Sequence, residues 1–191
     1  MLVSQIKERK SDMVSADQAA LVIVDIQGKL AQAMAEKELF IANVTMLLRG
    51  ARILGLPLII TEQTPEKLGP TIPELVPFTE GIRPIWKENF SCMAALLFQQ
   101  ELAAAGRRVI LLAGIETHVC VYQTAMDLMD AEYQVQVVTD CVSSRTLRNR
   151  DLALQRMEQE GARLTTTEMV LFELLQTAAH AKAREIFRLV K

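Results

Sequence analysis

The sequence predicts a single α/β domain in three layers, with helices on both faces of a six-stranded, mostly parallel sheet. Two observations carry this. Short β-branched or aliphatic runs alternate with longer stretches of helical period, the pattern of βαβ units around a sheet buried on both faces. Glycines 55, 106 and 161 stand where helical stretches end, as C-terminal caps require.

Taken in order, strands are expected at residues 20–24, 57–61, 83–86, 108–113, 134–139 and 162–165. Residues 37–54 place Phe40, Val44, Leu47, Leu48 and Ala51 at i, i+4, i+7 and i+8 spacing, as a helix laid on a sheet needs. Further helices are expected at 93–105, capped by Ser91, and at 119–131 and 148–160. Thr165 to Glu168 has the T-x-x-E form of a capping box and should open a helix reaching about residue 177, followed by an amphipathic one at 182–190. The exception to this rhythm is the segment 62–82, which holds four of the six prolines and has no clear period. It is expected to be a long loop, a lid or wall if functional and surface ornament if not.

The chain has 191 residues, enough for one domain with its own core and no metal or disulfide staple. Half the residues are hydrophobic and the net charge is −2, so neither a disordered chain nor a nucleic-acid partner is expected. Residues 1–18 form a polar N-terminal extension without the apolar core of a secretory signal, and no later run is long enough for a bilayer. A cytoplasmic protein without a membrane partner is the expectation. Three widely spaced cysteines, Cys92, Cys120 and Cys141, fit reduced thiols there, and with no CxxC and two histidines no zinc spacing is present.

In parallel α/β sheets, ligands bind beyond the carboxyl ends of the strands. Three polar residues fall at such ends: Asp25 after LVIV, Lys87 after IRPIW, and Cys120 in the GIETHVC turn after VILLAG. Singly they have ordinary readings: a cap, a solvated strand end, a small buried hydrophobe. Together they are a proton acceptor, a cation and a nucleophile, the groups needed to make and use a thiolate. A thiol at the first turn of a helix also meets unpaired backbone N–H groups and a positive dipole end, which would hold an oxyanion and lower the thiol pKa.

On ALVIVDIQ, the lysine of WKENFS, the segment LLAGIETHVCVYQTAMDLMDAEYQVQVVTDCVSSR and the late GARLTTTEMVLFELL, the chain resembles the isochorismatase-like (cysteine) hydrolases. The resemblance runs from about Ala19 to the C-terminus and implies the Rossmann-like topology of that family. It also implies a catalytic triad of Asp25, Lys87 and Cys120, with Asp25 taking the thiol proton and Lys87 stabilising charge. Cys120 would attack a carbonyl, expel ammonia or an amine and leave an acyl-enzyme for water, making the chain an amidohydrolase on non-peptide C–N bonds. A cis peptide is implied at Ile115–Glu116, with Glu116 N and Cys120 N as oxyanion donors. Nicotinamidases in the family bind a metal through an Asp-x-His pair after the second strand, where this chain has Thr61, Glu62, Gln63 and Thr64, so no metal or other cofactor is expected. True isochorismatases lack the cysteine.

Gln27, Trp86, Phe90, Thr117, His118 and Tyr122 are candidate contacts to a small-molecule substrate, and Phe78 could join them, since such pockets are mostly apolar with a few polar groups. For His118 a supporting contact or a subunit interface is the plainer reading. The apolar stripe Ile186, Phe187 and Val190 is either sheet cover or a subunit interface, and a homo-oligomer (dimer, tetramer or higher) is expected. Two alternatives stay open: a catalytically idle scaffold, and a redox-active thiol protein in which Cys120 pairs with Cys92 or Cys141.

Overall fold

In the computed structural model, which describes residues 13–191, strand β1 (Ala19–Val24) is buried along its whole length. Its side chains alternate between two apolar layers, Ala19, Leu21 and Ile23 into one, Ala20, Val22 and Val24 into the other. A strand with no solvent face carries no polar residue, hence AALVIV. The chain continues through α1 (Gly28–Gln32), α2 (Lys37–Ile53), β2 (Leu58–Gln63), α3 (Pro65–Leu68), β3 (Ile85–Lys87) and α4 (Leu96–Ala105). Then follow β4 (Val109–Ile115), α5 (Tyr122–Asp130), β5 (Gln134–Ser143), α6 (Leu147–Gln159), β6 (Arg163–Thr165), α7 (Thr167–Leu175) and α8 (Ala183–Leu189).

The strands form one six-stranded sheet in the order β3-β2-β1-β4-β5-β6, with every pairing parallel. The order turns about between β1 and β4, so the connections leaving their carboxyl ends diverge and open a crevice there. Helices α2, α7 and α8 cover one face, where Phe40, Val44, Leu47 and Leu48 meet Val170, Leu171, Leu174 and Ile186. On the other face Phe98, Leu102, Ala125, Leu128 and Met157 of α4, α5 and α6 pack against Val22, Ile110 and Leu112. Each such buried Leu, Ile or Phe contributes about 1.5–3 kcal/mol by leaving water. This is the three-layer α/β/α arrangement.

The expected elements are present with shifted edges. Residues 1–12 of the expected polar extension lie outside the described residues. The third strand begins at Ile85, after Pro84, whose missing N–H cannot join a ladder, and extends to include Lys87. Ser91 caps a separate 3-10 turn (Cys92–Ala94), accepting from Met93 N at 3.2 Å, and α4 starts only at Leu96. The cap of α7 is Thr166, whose hydroxyl accepts from Met169 N at 3.3 Å, one residue later than the T-x-x-E spacing implied. The C-terminal stripe is spent inside the chain: Ile186 is buried in the first layer and Phe187 stacks on Phe172 with ring centroids 5.7 Å apart. Among the described residues no helix is long and apolar enough to cross a membrane.

The proline-rich segment is tied down. It contains α3 and a 3-10 turn at Val76–Phe78, and an isolated bridge pairs Thr71 with Gln27. Ile72 N donates to Ile26 O at 3.0 Å and Gly28 N to Pro70 O at 3.1 Å, so the segment crosses the strand-end crevice beside β1.

Candidate active site

The acid comes from the end of β1. Asp25 follows the last strand residue with φ 52, a left-handed conformation that Asp adopts more readily than most residues. This turns its backbone out of the strand, and its N–H donates to Thr61 O on β2 at 3.2 Å. Its carboxylate is 1% exposed and doubly bonded: Oδ1 accepts from Thr61 Oγ1 at 2.7 Å and Oδ2 from Lys87 Nζ at 2.6 Å. Asp25 and Lys87, separated by β2 in the sheet, thus form a buried ion pair across its end.

Lys87 has more acceptors than protons. Besides Asp25, Nζ donates to Gln63 Oε1 at 2.7 Å and to the carbonyls of Asn89 and Phe90, each at 3.1 Å. The ammonium is therefore committed to Asp25 and to neutral oxygens, the arrangement a buried cation needs to stay charged. Gln63 is held in turn. Its Nε2 donates to Glu88 O at 2.6 Å, and its backbone N donates to Gln27 Oε1, also at 2.6 Å. Gln27 Nε2 donates to Gln63 O and Gly69 O at 3.2 and 2.7 Å.

The thiol comes from the far side of the switch point. Gly114, near the end of β4, has φ 124, and a Cβ there would lie 2.1 Å from Val24 O. No side chain fits, and β1 and β4 close tightly just before the crevice opens. The Ile115–Glu116 peptide is cis, and the chain enters a π-type turn, Thr117–Val121, before α5 begins at Tyr122. Val119 N and Val121 N both donate to Glu116 O, at 3.0 and 3.3 Å, and it is the second, five-residue bond that widens the turn. Cys120 sits in this turn, 7% exposed, packed against the second apolar layer.

The environment of Cys120 corrects one expectation. Burial, then the negative field of Asp25, push its thiol up to about 12, outweighing the opposing pull of Lys87. Proximity to a helix start and to Lys87 does not yield a resting thiolate, because desolvation of the anion dominates. The resting site holds a neutral thiol beside a carboxylate and an ammonium.

The tentative substrate contacts are placed unevenly. Gln27 is fully buried, and its amide bonds Gln63 and Gly69, so it braces the site. Trp86 is exposed, on the opposite face of β3 from Lys87, as strand alternation requires. Phe90 holds Lys87 through its carbonyl and exposes its ring. Phe78 packs against the first layer, and its carbonyl accepts from Arg52 Nε at 2.6 Å. His118 directs Nδ1 at Ser144 Oγ (3.0 Å) and Nε2 at Asn149 Nδ2 (3.4 Å), a supporting contact to the β5–α6 connection. Tyr122 lies under the Arg156 guanidinium, 4.7 Å from its ring centre. Glu116 pairs with Arg145 Nε at 3.1 Å. Thr117 is fully buried, and among the described residues its Oγ1 meets no partner.

Two residues that sequence reasoning left out belong to the site: Thr61 on Asp25 and Gln63 on Lys87. Both lie on β2, two residues apart and so on one face. Their positions in TEQ were visible, but their partners 36 and 24 residues away were not. Glu62 alternates to the other side, where its Oε1 accepts from Thr71 N and Oγ1 at 2.7 and 2.8 Å. The described residues contain no cluster of three or more His, Cys, Asp or Glu side chains spaced to hold a metal.

The Isochorismatase domain model matches residues 19–169. Isochorismatase domain-containing protein 2A of Mus musculus is 40% identical over 176 residues, covering 92% of this chain and 84% of the mouse protein. Among solved structures, the MAR1 ribonuclease of Caenorhabditis elegans superposes with a TM-score of 0.88 at 36% identity, covering 93% of this chain and 92% of that one. The YcaC gene product of Escherichia coli, described as an octameric hydrolase of unknown specificity, has a TM-score of 0.88 at 28% identity, covering 93% and 90%.

Proposed function

This chain belongs to the isochorismatase domain family, and from that membership and the site's geometry we propose that it is a cysteine-dependent hydrolase of small carbonyl compounds, amides foremost. The observation that carries the reading is the buried 2.6 Å Asp25–Lys87 pair beside the thiol of Cys120 at the β1/β4 switch point. The hydrolase description of the Escherichia coli neighbour points the same way.

A neutral thiol makes the role of Asp25 specific. As Cys120 Sγ attacks the substrate carbonyl carbon, its proton passes to the Asp25 carboxylate and the carbonyl electron pair moves onto oxygen. Backbone N–H groups of the turn, with Glu116 N and Cys120 N assigned, receive that oxyanion. On collapse the C–N bond breaks and the leaving amine takes the proton from Asp25, leaving a thioester on Cys120. Water then attacks with Asp25 as base again, and the departing Cys120 sulfur recovers the proton as acid is released. Lys87 holds the Asp25 carboxylate in place through these steps by the 2.6 Å bond from its Nζ to Oδ2.

Cys92 and Cys141 are fully buried with their thiols pushed up by desolvation, so both are poor partners for a disulfide with Cys120, against the redox alternative. A homo-oligomer is part of the proposal: the Escherichia coli neighbour is octameric, and Trp86, Phe90, Leu96 and Leu97, between β3 and the start of α4 in the chain, are each exposed apolar side chains. Light scattering on the purified protein reads the assembly.

The functional test is ammonia release from a panel of small primary amides. Turnover of at least one amide that falls by about a thousandfold or more in Cys120→Ala supports the proposal. No turnover of any amide or ester by a folded protein returns the idle-scaffold alternative.

A further inference from the structure

We propose that Thr61 is a positioning residue for Asp25, with its hydroxyl aimed by the buried thiol of Cys92, so that a Cys92–Thr61–Asp25 relay sets the pH at which the site can accept a proton. This rests on the assignment of Asp25 as the base for Cys120.

The relay follows from counting protons. Thr61 Oγ1 carries one, and at 2.7 Å from Asp25 Oδ1 it is given to the carboxylate. Cys92 Sγ lies 3.6 Å from the same oxygen. With the hydroxyl proton already spent, Cys92 is the donor, and the chain runs S–H to O–H to carboxylate in one direction. Both ends are fixed. Cys92 is fully buried and its backbone N donates to Thr124 Oγ1 at 3.0 Å, one helical turn beyond Cys120, while the Thr61 carbonyl accepts from Asp25 N. Thr61 thus grips Asp25 through backbone and side chain at the point where its φ turns positive.

Cys92 suits this task because it stays protonated: burial pushes its thiol up to about 11. The other titratable groups reaching Asp25 are Lys87 from β3 and Cys120 from the π-type turn. Glu62 faces Thr71 on the other side of β2, and Glu116 faces Arg145. Removing the Thr61 donor therefore leaves the Lys87 pair intact while taking one hydrogen bond from the ionised carboxylate. A bond to a charged group shifts the proton affinity of that group by about one pH unit or more.

The test is the rate of adduct formation at Cys120 by acrylamide, a small amide with an electrophilic carbon, followed against pH by peptide mass spectrometry. The full chain is compared with Thr61→Val, Thr61→Ser, Cys92→Ala and Cys92→Ser. The acid limb of the profile is expected to rise by about one pH unit in Thr61→Val and to keep its wild-type position in Thr61→Ser, which restores the hydroxyl. Cys92→Ala should move the limb the same way by less, and Cys92→Ser should hold it. A Thr61→Val profile lowered at every pH with its limb unmoved, or limbs that move equally in Thr61→Val and Thr61→Ser, would overturn the relay. Should Thr61→Val not fold, the Cys92 pair decides: an unmoved limb in Cys92→Ala overturns it. Asp25→Asn separates the two claims, since a wild-type profile there overturns the base assignment itself.

Discussion

Lys87 Nζ and Asp25 Oδ2 are 2.6 Å apart with both side chains 1% exposed, and the pair joins the ends of β1 and β3 across β2. Breaking such a pair leaves one buried charge alone, at a cost of about 3–5 kcal/mol. Lys87→Met is therefore expected to lower the urea unfolding free energy by about that amount. The double variant Asp25→Asn/Lys87→Met, which buries no unpaired charge, should recover much of it. Equal losses in the single and double variants would show that the pair is not coupled.

Alkaline pH should destabilise the protein through its thiols. Burial is the largest cause for all three, holding Cys92 at about 11, Cys120 at about 12 and Cys141 well above the ordinary 9.0. With folded values above unfolded ones, their contribution is intact below about pH 9 and is lost as pH rises toward 11 and 12. Each thiol steepens the fall by about 1.4 kcal/mol per pH unit within that window. Tyrosines and lysines titrate there too, so the reading is a difference: between pH 9 and 11, Cys141→Ala should show a shallower decline in urea-derived stability than wild type.

The Glu62 carboxylate is expected to latch the proline-rich segment, because Oε1 accepts from both Thr71 N and Thr71 Oγ1. Glu62→Ala removes both bonds, worth about 1–3 kcal/mol where groups are left unpaired. Limited proteolysis should then cut faster between residues 64 and 82, with cleavage elsewhere unchanged. Uniformly faster cleavage would show that Glu62 supports the whole fold instead.

Gly114→Ala should be severe. Its Cβ would fall 2.1 Å from Val24 O and 2.6 Å from Val24 N, both backbone atoms of the adjacent strand, at φ 124. The strands must part for it to fit, and a loss above about 4 kcal/mol or failure to accumulate folded protein is expected. A melting temperature near wild type would contradict the packing described at the switch point.

The strands were legible because a sheet covered on both faces leaves no room for polar residues, so AALVIV and VILLAGI announce themselves. Asp25, Lys87 and Cys120 were legible as polar breaks after such runs. What was hidden depends on partners distant in sequence. THVCV reads as the first turn of an α-helix, and only the bond from Val121 N to Glu116 O makes it wider. Gln27 read as a substrate contact, yet its amide meets Gln63 and Gly69, and Gln63 in turn meets Lys87. The thiol proton affinity is hidden for a related reason: dipole and cation can be read locally, whereas the burial that outweighs them is a property of the packed second layer.

The most direct test of the central claim is to react the protein with p-nitrophenyl acetate, quench in acid during the first turnover and map the acetyl group by peptide mass spectrometry. A stoichiometric burst with the acetyl group on Cys120 is expected, slowed about a hundredfold or more in Asp25→Asn as general-base loss requires. Acetylation confined to other residues, or a Cys120 burst indifferent to Asp25→Asn, would contradict it.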